Sequence, residues 1–225
     1  MIYLSDFSKI DMHVHTCYTH GSSISLKNIE EFLKSHPDFG LAITDINTIE
    51  GAKILSDKYP EKIVVGSQIL TKEGAITGLF LKEGIPGGKS LNWTIDAILV
   101  QDGLVCIPHP MDTNRKTTLS DAGLDLALKR CDLIEIFNSR TILDEDNKAA
   151  VDLISKNTLP VCGSDAHTKN ELGHTYITVA AGIKMTSSSF FDSLYRSELI
   201  CKKVSASSLI ASQLYAKYKK IMKNN

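Results

Sequence analysis

The sequence predicts an α/β fold in which a mainly parallel sheet closes into one compact barrel. Short β-branched apolar runs alternate with longer amphipathic stretches along the chain. The runs are nearly continuous in apolar residues, as expected of strands covered by helices. Eight such runs and about as many helical stretches fit within 225 residues without a linker or internal repeat, which suits a barrel better than two domains. A single domain over 1–225 is therefore expected, with 206–223 forming a C-terminal docking helix.

In chain order, Lys9–His15 is the first expected strand, followed by a helix over Ser25–Ser35, where Ser25 ahead of Asn28 and Glu30 is a capping signal. Gly40–Thr44 is the next strand and Thr48–Lys58 the next helix. Lys62–Ile69 and Ile76–Leu81 are strands and Leu91–Gln101 a helix. Leu104–Ile107 is a strand that must stop at Pro108 and Pro110. A helix over Leu119–Lys129, a strand over Leu133–Phe137 and a helix over Glu145–Lys156, opened by Asp144, come next. Leu159–Cys162 and His174–Val179 are strands. Ser187 to Ser189 open a helix over Ser188–Ser197, and Ala206–Met222 is the last helix.

With 43% hydrophobic and 23% charged residues, the composition excludes a disordered, collagen-like or low-complexity chain. No apolar run approaches the roughly 20 residues needed to cross a bilayer. Met1–Ile10 has neither a basic n-region nor an apolar h-region, so a cytoplasmic protein without membrane contact is expected. The five cysteines are odd in number and form no C-x-x-C pair, which points to reduced structural thiols. The net charge of −1 conceals a split: from Arg196 onward seven Lys/Arg face Glu198 alone, so a tail of +6 follows a body of −7. The stripe Leu209, Ile210, Leu214, Tyr218 and Ile221 is expected to pack on the barrel and leave the lysines in water. Gly84–Ser90 resembles a phosphate loop, but the position five before Gly88 is Glu83, so an ordinary loop is expected.

The histidines carry the chemical information. His13 and His15 are two apart at a strand end, so both imidazoles point to one face. In a parallel barrel that is the C-terminal rim, where active sites are built. Asp165 and His167 repeat the geometry after a late strand, and closing a barrel sets its first and last strands side by side. The four side chains can then converge into an imidazole and carboxylate set that suits Zn, Mn or Fe. His109 ends a third strand, His20 lies in the loop past His15, and Asp45 and Asn47 follow the second strand. His36, before Pro37, reads as a solvated residue at a helix end. His174 reads as part of strand pairing.

These motifs together resemble the PHP (polymerase and histidinol phosphatase) family, in particular its stand-alone metal-dependent phosphoesterases. The segments are Asp11–Thr16, Ala42–Asp45 with Asn47–Gly51, Gly66–Ile69, Pro108–Pro110, Ile134–Arg140 and Gly163–His167. The resemblance implies a distorted (β/α)7 barrel with up to three metal ions at its rim. It makes His13, His15 and Asp165 first-metal ligands, His109 a second-metal ligand, and His20 and His167 third-metal ligands. Three departures matter: Ile46 and Ala75 stand where the family has histidines, and Gln68 replaces a bridging glutamate. An amide is a poor bridge between cations, and isoleucine and alanine offer no lone pair. One or two ions are expected rather than three: one at His13, His15 and Asp165, and a weaker one near His20 and His167 with help from Asp45 or Asn47. The second site is reduced to His109 with Gln68.

The chemistry implied is phosphoester hydrolysis by a metal-activated water, with His167 or Asp165 moving the proton. Arg140 is the candidate phosphate clamp and Lys169 a weaker one. The bland reading of Arg140 is an ion pair with Asp144 or Glu145. The substrate would be a phosphorylated small molecule, a nucleotide or a nucleic acid. The rival is a degenerate member that binds a metal or phosphorylated ligand without efficient turnover. An amidohydrolase barrel also begins with H-x-H, but it wants a bridging Lys and two more strand-end histidines.

Overall fold

The computed structural model describes residues 7–223; of the segment read for a leader, residues 1–6 lie outside them. The order is β1 (Phe7–Val14), α1 (Leu26–Ser35), β2 (Phe39–Ile43), α2 (Glu50–Lys58), β3 (Ile63–Leu70), β4 (Ala75–Leu79), α3 (Leu91–Leu99), β5 (Leu104–Ile107), α4 (Asp121–Ala127), β6 (Leu133–Asn138), α5 (Asp144–Val151), β7 (Leu159–Gly163), β8 (Tyr176–Ala180), α6 (Ser187–Leu194), β9 (Leu199–Ile200) and α7 (Ala206–Lys223). A 3-10 turn, Lys169–Glu171, precedes β8. Ser25 caps α1 in a reciprocal box with Asn28, and Ser90 and Ser120 cap α3 and α4. Thr186, one residue ahead of the serine run, caps α6.

One sheet contains all the strands in the order β7-β6-β5-β4-β3-β2-β1-β8-β9. A parallel bridge between Val14 and Ala166, with the His15 N–H donating to the Ala166 carbonyl at 3.1 Å, brings β1 to the end of β7. Strands β1 to β7 thereby form a nearly closed barrel. The other end of β1 pairs antiparallel with β8, Phe7 to Ile10 against Ala180 to Ile177, and β9 extends that edge.

The sheet is less parallel than expected, because β4 runs against both β3 and β5. The cause is the Thr71–Gly74 connection, closed by a 2.8 Å bond from the Thr71 N–H to the Gly74 carbonyl. A parallel return needs a crossover of a dozen or more residues, so this turn permits only a hairpin. His174 precedes β8 and takes no part in strand pairing; its Nε2 donates to the Lys203 carbonyl at 2.8 Å. His36 is the exposed C-cap of α1.

Three buried clusters support the barrel. Ile10, Met12, Leu79, Leu133, Val161 and Phe190 belong to one. Ile69, Ile76, Ile95 and Ile98 hold α3 to β3 and β4 in a second. Ile29, Leu33, Leu41 and Leu55 hold α1 and α2 to β2 in the third. Each such side chain contributes on the order of 1.5–3 kcal/mol by leaving water. All five thiols are unpaired, and Cys106, Cys131 and Cys162 pack as small apolar residues.

Helix α7 docks on a different face from the one expected. Ser212 is buried and Leu209, Tyr215 and Ala216 are partly covered, whereas Ile210, Leu214 and Tyr218 are 57%, 60% and 56% exposed. The side chain of Ile221 lies outside the described residues. The contact is polar: Arg140 Nη2 donates to Ser212 Oγ at 2.7 Å, and Lys219 Nζ donates to the Cys17 carbonyl at 3.4 Å. An apolar stripe read by period alone assigned the wrong face, because small and hydroxyl residues make the fit.

Candidate metal centre

The end of β1 and the turn after β7 bring three lone-pair atoms together. His13 Nε2 and His15 Nε2 are 3.1 Å apart, and Asp165 Oδ1 lies 3.2 Å from His15 Nε2 and 3.7 Å from His13 Nε2. Each imidazole is turned by a bond on its other nitrogen. Glu135 Oε1 accepts from His13 Nδ1 at 3.0 Å, and Thr19 Oγ1 accepts from His15 Nδ1 at 3.0 Å. That hydroxyl also accepts from the Ile46 N–H at 3.0 Å and donates to Asp45 Oδ1 at 2.7 Å, so its proton is committed. With Nδ1–H on both rings, each imidazole in its neutral form directs an Nε2 lone pair at the other ring and at the carboxylate. Asp165 Oδ1 is accordingly buried without a hydrogen-bond partner. Buried acceptors facing one another with nothing to share are costly unless a cation sits among them, and two imidazoles with a carboxylate fit a divalent transition metal. Glu135 and the Thr19–Asp45 pair are the outer groups that orient its ligands.

Thr19→Val is expected to weaken metal binding by about 10–100-fold, because the hydroxyl that orients His15 is lost together with its bonds to Ile46 and Asp45. Calorimetric titration with Zn or Mn ions checks this.

Charge reinforces the geometry. Burial works against charging His13, but Glu135 and Asp165 outweigh it and raise its pKa. A proton therefore competes with an ion for His13 Nε2, and metal binding weakens as pH falls through that raised value. Burial lowers the pKa of His15. Burial also acts to raise the Asp165 carboxyl, yet the Arg115 guanidinium, with His13, holds it well below the usual carboxylate range. Arg115 Nη2 is 2.6 Å from Asp165 Oδ2.

The remaining site residues are distributed around this cluster. His167 stacks at a tilt on His15 with centroids 4.7 Å apart, and its Nδ1 donates to the Asp165 carbonyl at 2.8 Å. Burial, then the neighbouring His15, pushes its pKa down to about 3. The His109 ring stacks 5.9 Å from that of His13, and Gln68 Nε2 donates to His109 Nε2 at 2.8 Å. That bond uses the His109 lone pair, and His109 Nδ1 is buried without a partner. Asp45 accepts from the Thr16 N–H, the Thr16 hydroxyl and the Thr19 hydroxyl at 2.6–2.7 Å, which directs it at the β1 loop. His20 and Lys169 are exposed. Arg140 is 11% exposed, with Nη1 donating to Glu171 Oε1 at 2.9 Å; Asp144 pairs with Lys203 instead.

Two of the five non-glycine residues with positive φ among the described residues belong to this site, His109 at +33° and Asp165 at +53°. Non-glycine residues hold such angles at a cost of about 1–3 kcal/mol where the surroundings enforce them. For His109 the enforcing group is Glu135, whose Oε2 accepts its N–H at 2.7 Å. Glu135, Thr19 and Arg115 had no assigned role in the sequence. A charged residue inside the apolar strand Leu133–Phe137 was the available signal for Glu135; Arg115 lies in a polar loop and gave none.

Comparison with known proteins agrees with this fold. A family model described as PHP-associated matches residues 144–198. An uncharacterised protein of Methanocaldococcus jannaschii is 42% identical over 144 residues, covering 58% of this chain and 82% of the relative. A two-domain protein of Bacteroides vulgatus containing a predicted PHP-like metal-dependent phosphoesterase superposes with a TM-score of 0.67 at 14% identity, over 87% of this chain and 65% of that one. The lesion-specific endonuclease Q of Pyrococcus furiosus superposes with a TM-score of 0.61 at 15% identity, over 86% of this chain and 57% of that one. The chain thus spans less than two thirds of either solved protein. No helix among the described residues is long and apolar enough to cross a membrane. With its nearly closed α/β barrel, its PHP-associated segment and its histidine and aspartate cluster at the strand ends, this chain belongs to the PHP family.

Proposed function

We propose that the protein hydrolyses a phosphoester at the C-terminal rim of its barrel, using one divalent ion, Zn, Mn or Fe, held by His13, His15 and Asp165. The observation that carries this is the convergence of two Nε2 lone pairs and the partnerless Asp165 Oδ1 within 3.1–3.7 Å. When bound, the ion supplies Lewis-acid polarisation and brings the pKa of water toward neutrality. The protein holds the reacting groups. His167, neutral because its pKa lies near 3, keeps an Nε2 lone pair that can take a proton. Arg140 acts as a positioning residue, fixing Glu171, whose Oε2 accepts the N–H groups of His167 at 2.6 Å and Thr168 at 2.9 Å. Lys169, exposed on the 3-10 turn beside them, is the candidate phosphate contact.

The substrate class is a phosphorylated small molecule, a nucleotide or a nucleic acid, the last favoured by the endonuclease Q likeness in fold. Five unpaired thiols support a cytoplasmic location. One observation favours a second reading, a binding protein without efficient turnover: the Gln68 amide closes off His109 by an internal hydrogen bond.

A phosphoester panel assayed with Zn, Mn or Fe separates the two. Hydrolysis by the wild type that His13→Ala abolishes is the expected result. No hydrolysis with any of these metals, together with activity gained in Gln68→Glu, would establish the binding protein instead.

A further inference from the structure

The Asp165 carboxylate has two different faces. Oδ1 meets the imidazoles, while Oδ2 takes Arg115 Nη2 at 2.6 Å. Among the described residues Arg115 supplies the one Lys or Arg ion pair to any of the three candidate ligands. Its guanidinium is fixed in direction. Nε donates to Asp112 Oδ2 at 2.9 Å and Nη2 also donates to Asn138 Oδ1 at 3.2 Å. Asp112 is itself buried and further held by the Thr141 hydroxyl at 3.0 Å. Three oxygens, on β6, the turn after β7 and the loop after β5, therefore surround one positive group, as ligands surround an ion. The neighbouring pair, Gln68 and His109, is neutral and bonded to itself, so it supplies no anionic ligand to that side. The Nη1 group has no partner among the described residues, and the side chain keeps 23% of its surface exposed.

We infer that Arg115 stands in for a second cation: it neutralises the outer face of Asp165 and offers its two Nη1 N–H groups to the phosphoryl oxygens of the substrate. The inference rests on the metal-centre reading and gives it a substrate contact. A carboxylate that bridges two cations in a dinuclear site here bridges one ion position and one guanidinium. The planar fork suits this, because it can hold carboxylates with one edge and a phosphoryl group with another. Truncating Arg115 would leave Asp165 Oδ2, Asp112 Oδ2 and Asn138 Oδ1 facing one another, an all-oxygen set that suits Mn²⁺.

Manganese titration followed by electron paramagnetic resonance tests this with the metal alone. The wild type is expected to bind one Mn²⁺ per chain with an uncoupled six-line signal, and Arg115→Ala to bind two with exchange broadening. Should Arg115→Ala fail to fold by circular dichroism, Arg115→Lys keeps the charge but not the fork. It is expected to bind one Mn²⁺ and to lose about tenfold in affinity for inorganic phosphate, measured on the manganese-loaded protein. Two ions in the wild type, one ion in a folded Arg115→Ala, or unchanged phosphate affinity in Arg115→Lys would each overturn the inference and leave the metal centre standing. No ion in the wild type would overturn both together.

Discussion

Asp165→Asn should produce a folded protein that has lost tight metal binding, by more than the ~10–100-fold that loss of an outer group costs. The exchange keeps the shape of the side chain but removes the charge that Arg115, His13 and His15 all face. It also changes how stability depends on pH in the metal-free protein. Burial raises the Asp165 carboxyl, but Arg115 and His13 more than offset this and depress its pKa from 3.8. A depressed carboxyl stabilises the folded state fully above the unfolded value, and that contribution disappears as pH falls through the folded one. The wild type should therefore be more stable than Asp165→Asn above about pH 4, with the difference shrinking in stronger acid. Denaturant melts across that range are the check; a gap that persists unchanged in acid would show that Asp165 is not held ionised.

Gly163→Ala is expected to cost more. A Cβ on Gly163 would collide with His13 Cβ and lie 3.0 Å from His13 N and 2.7 Å from Glu135 Oε1. Those atoms belong to β1 and β6, the strands on either side of β7, and His13 N and the Cβ fixed to it cannot swing away as the end of a lysine can. Overpacking costs typically 1–3 kcal/mol, and here the strands that carry His13 and Asp165 must part to relieve it. Thermal melting should fall by several degrees or more and metal binding should be lost even in the folded fraction. Gly84→Ala is the control, since its Cβ would meet only Ile49 at 3.9 Å, and it should be near neutral.

The readable parts of the molecule are those in which one local rule decides. Apolar runs and caps located the eight longer strands and the helices to within a few residues, because period and N-cap chemistry act over a few positions, except that α5 ends at Val151, five residues before the expected Lys156. The short strand Leu199–Ile200 carried too little pattern to be seen. The H-x-H of β1 was legible because alternation along a strand forces both rings to one face. The direction of β4 was not, because the alternation of strand and helix carries no direction and only the short Thr71–Gly74 turn specifies it. The outer groups of the site were hardest to read. Thr19 and Glu135 look like a loop hydroxyl and a strand carboxylate until the fold sets them 3.0 Å from an imidazole. Arg115 depends on a loop conformation that no periodicity encodes, and it reaches Asp165 fifty residues onward in sequence.

The metal centre itself is tested most directly by anomalous diffraction from crystals grown with Mn or Zn. The expected result is a peak about 2.0–2.3 Å from His13 Nε2, His15 Nε2 and an Asp165 oxygen. Density that leaves these three atoms without a shared ion, in protein saturated with metal, would contradict it.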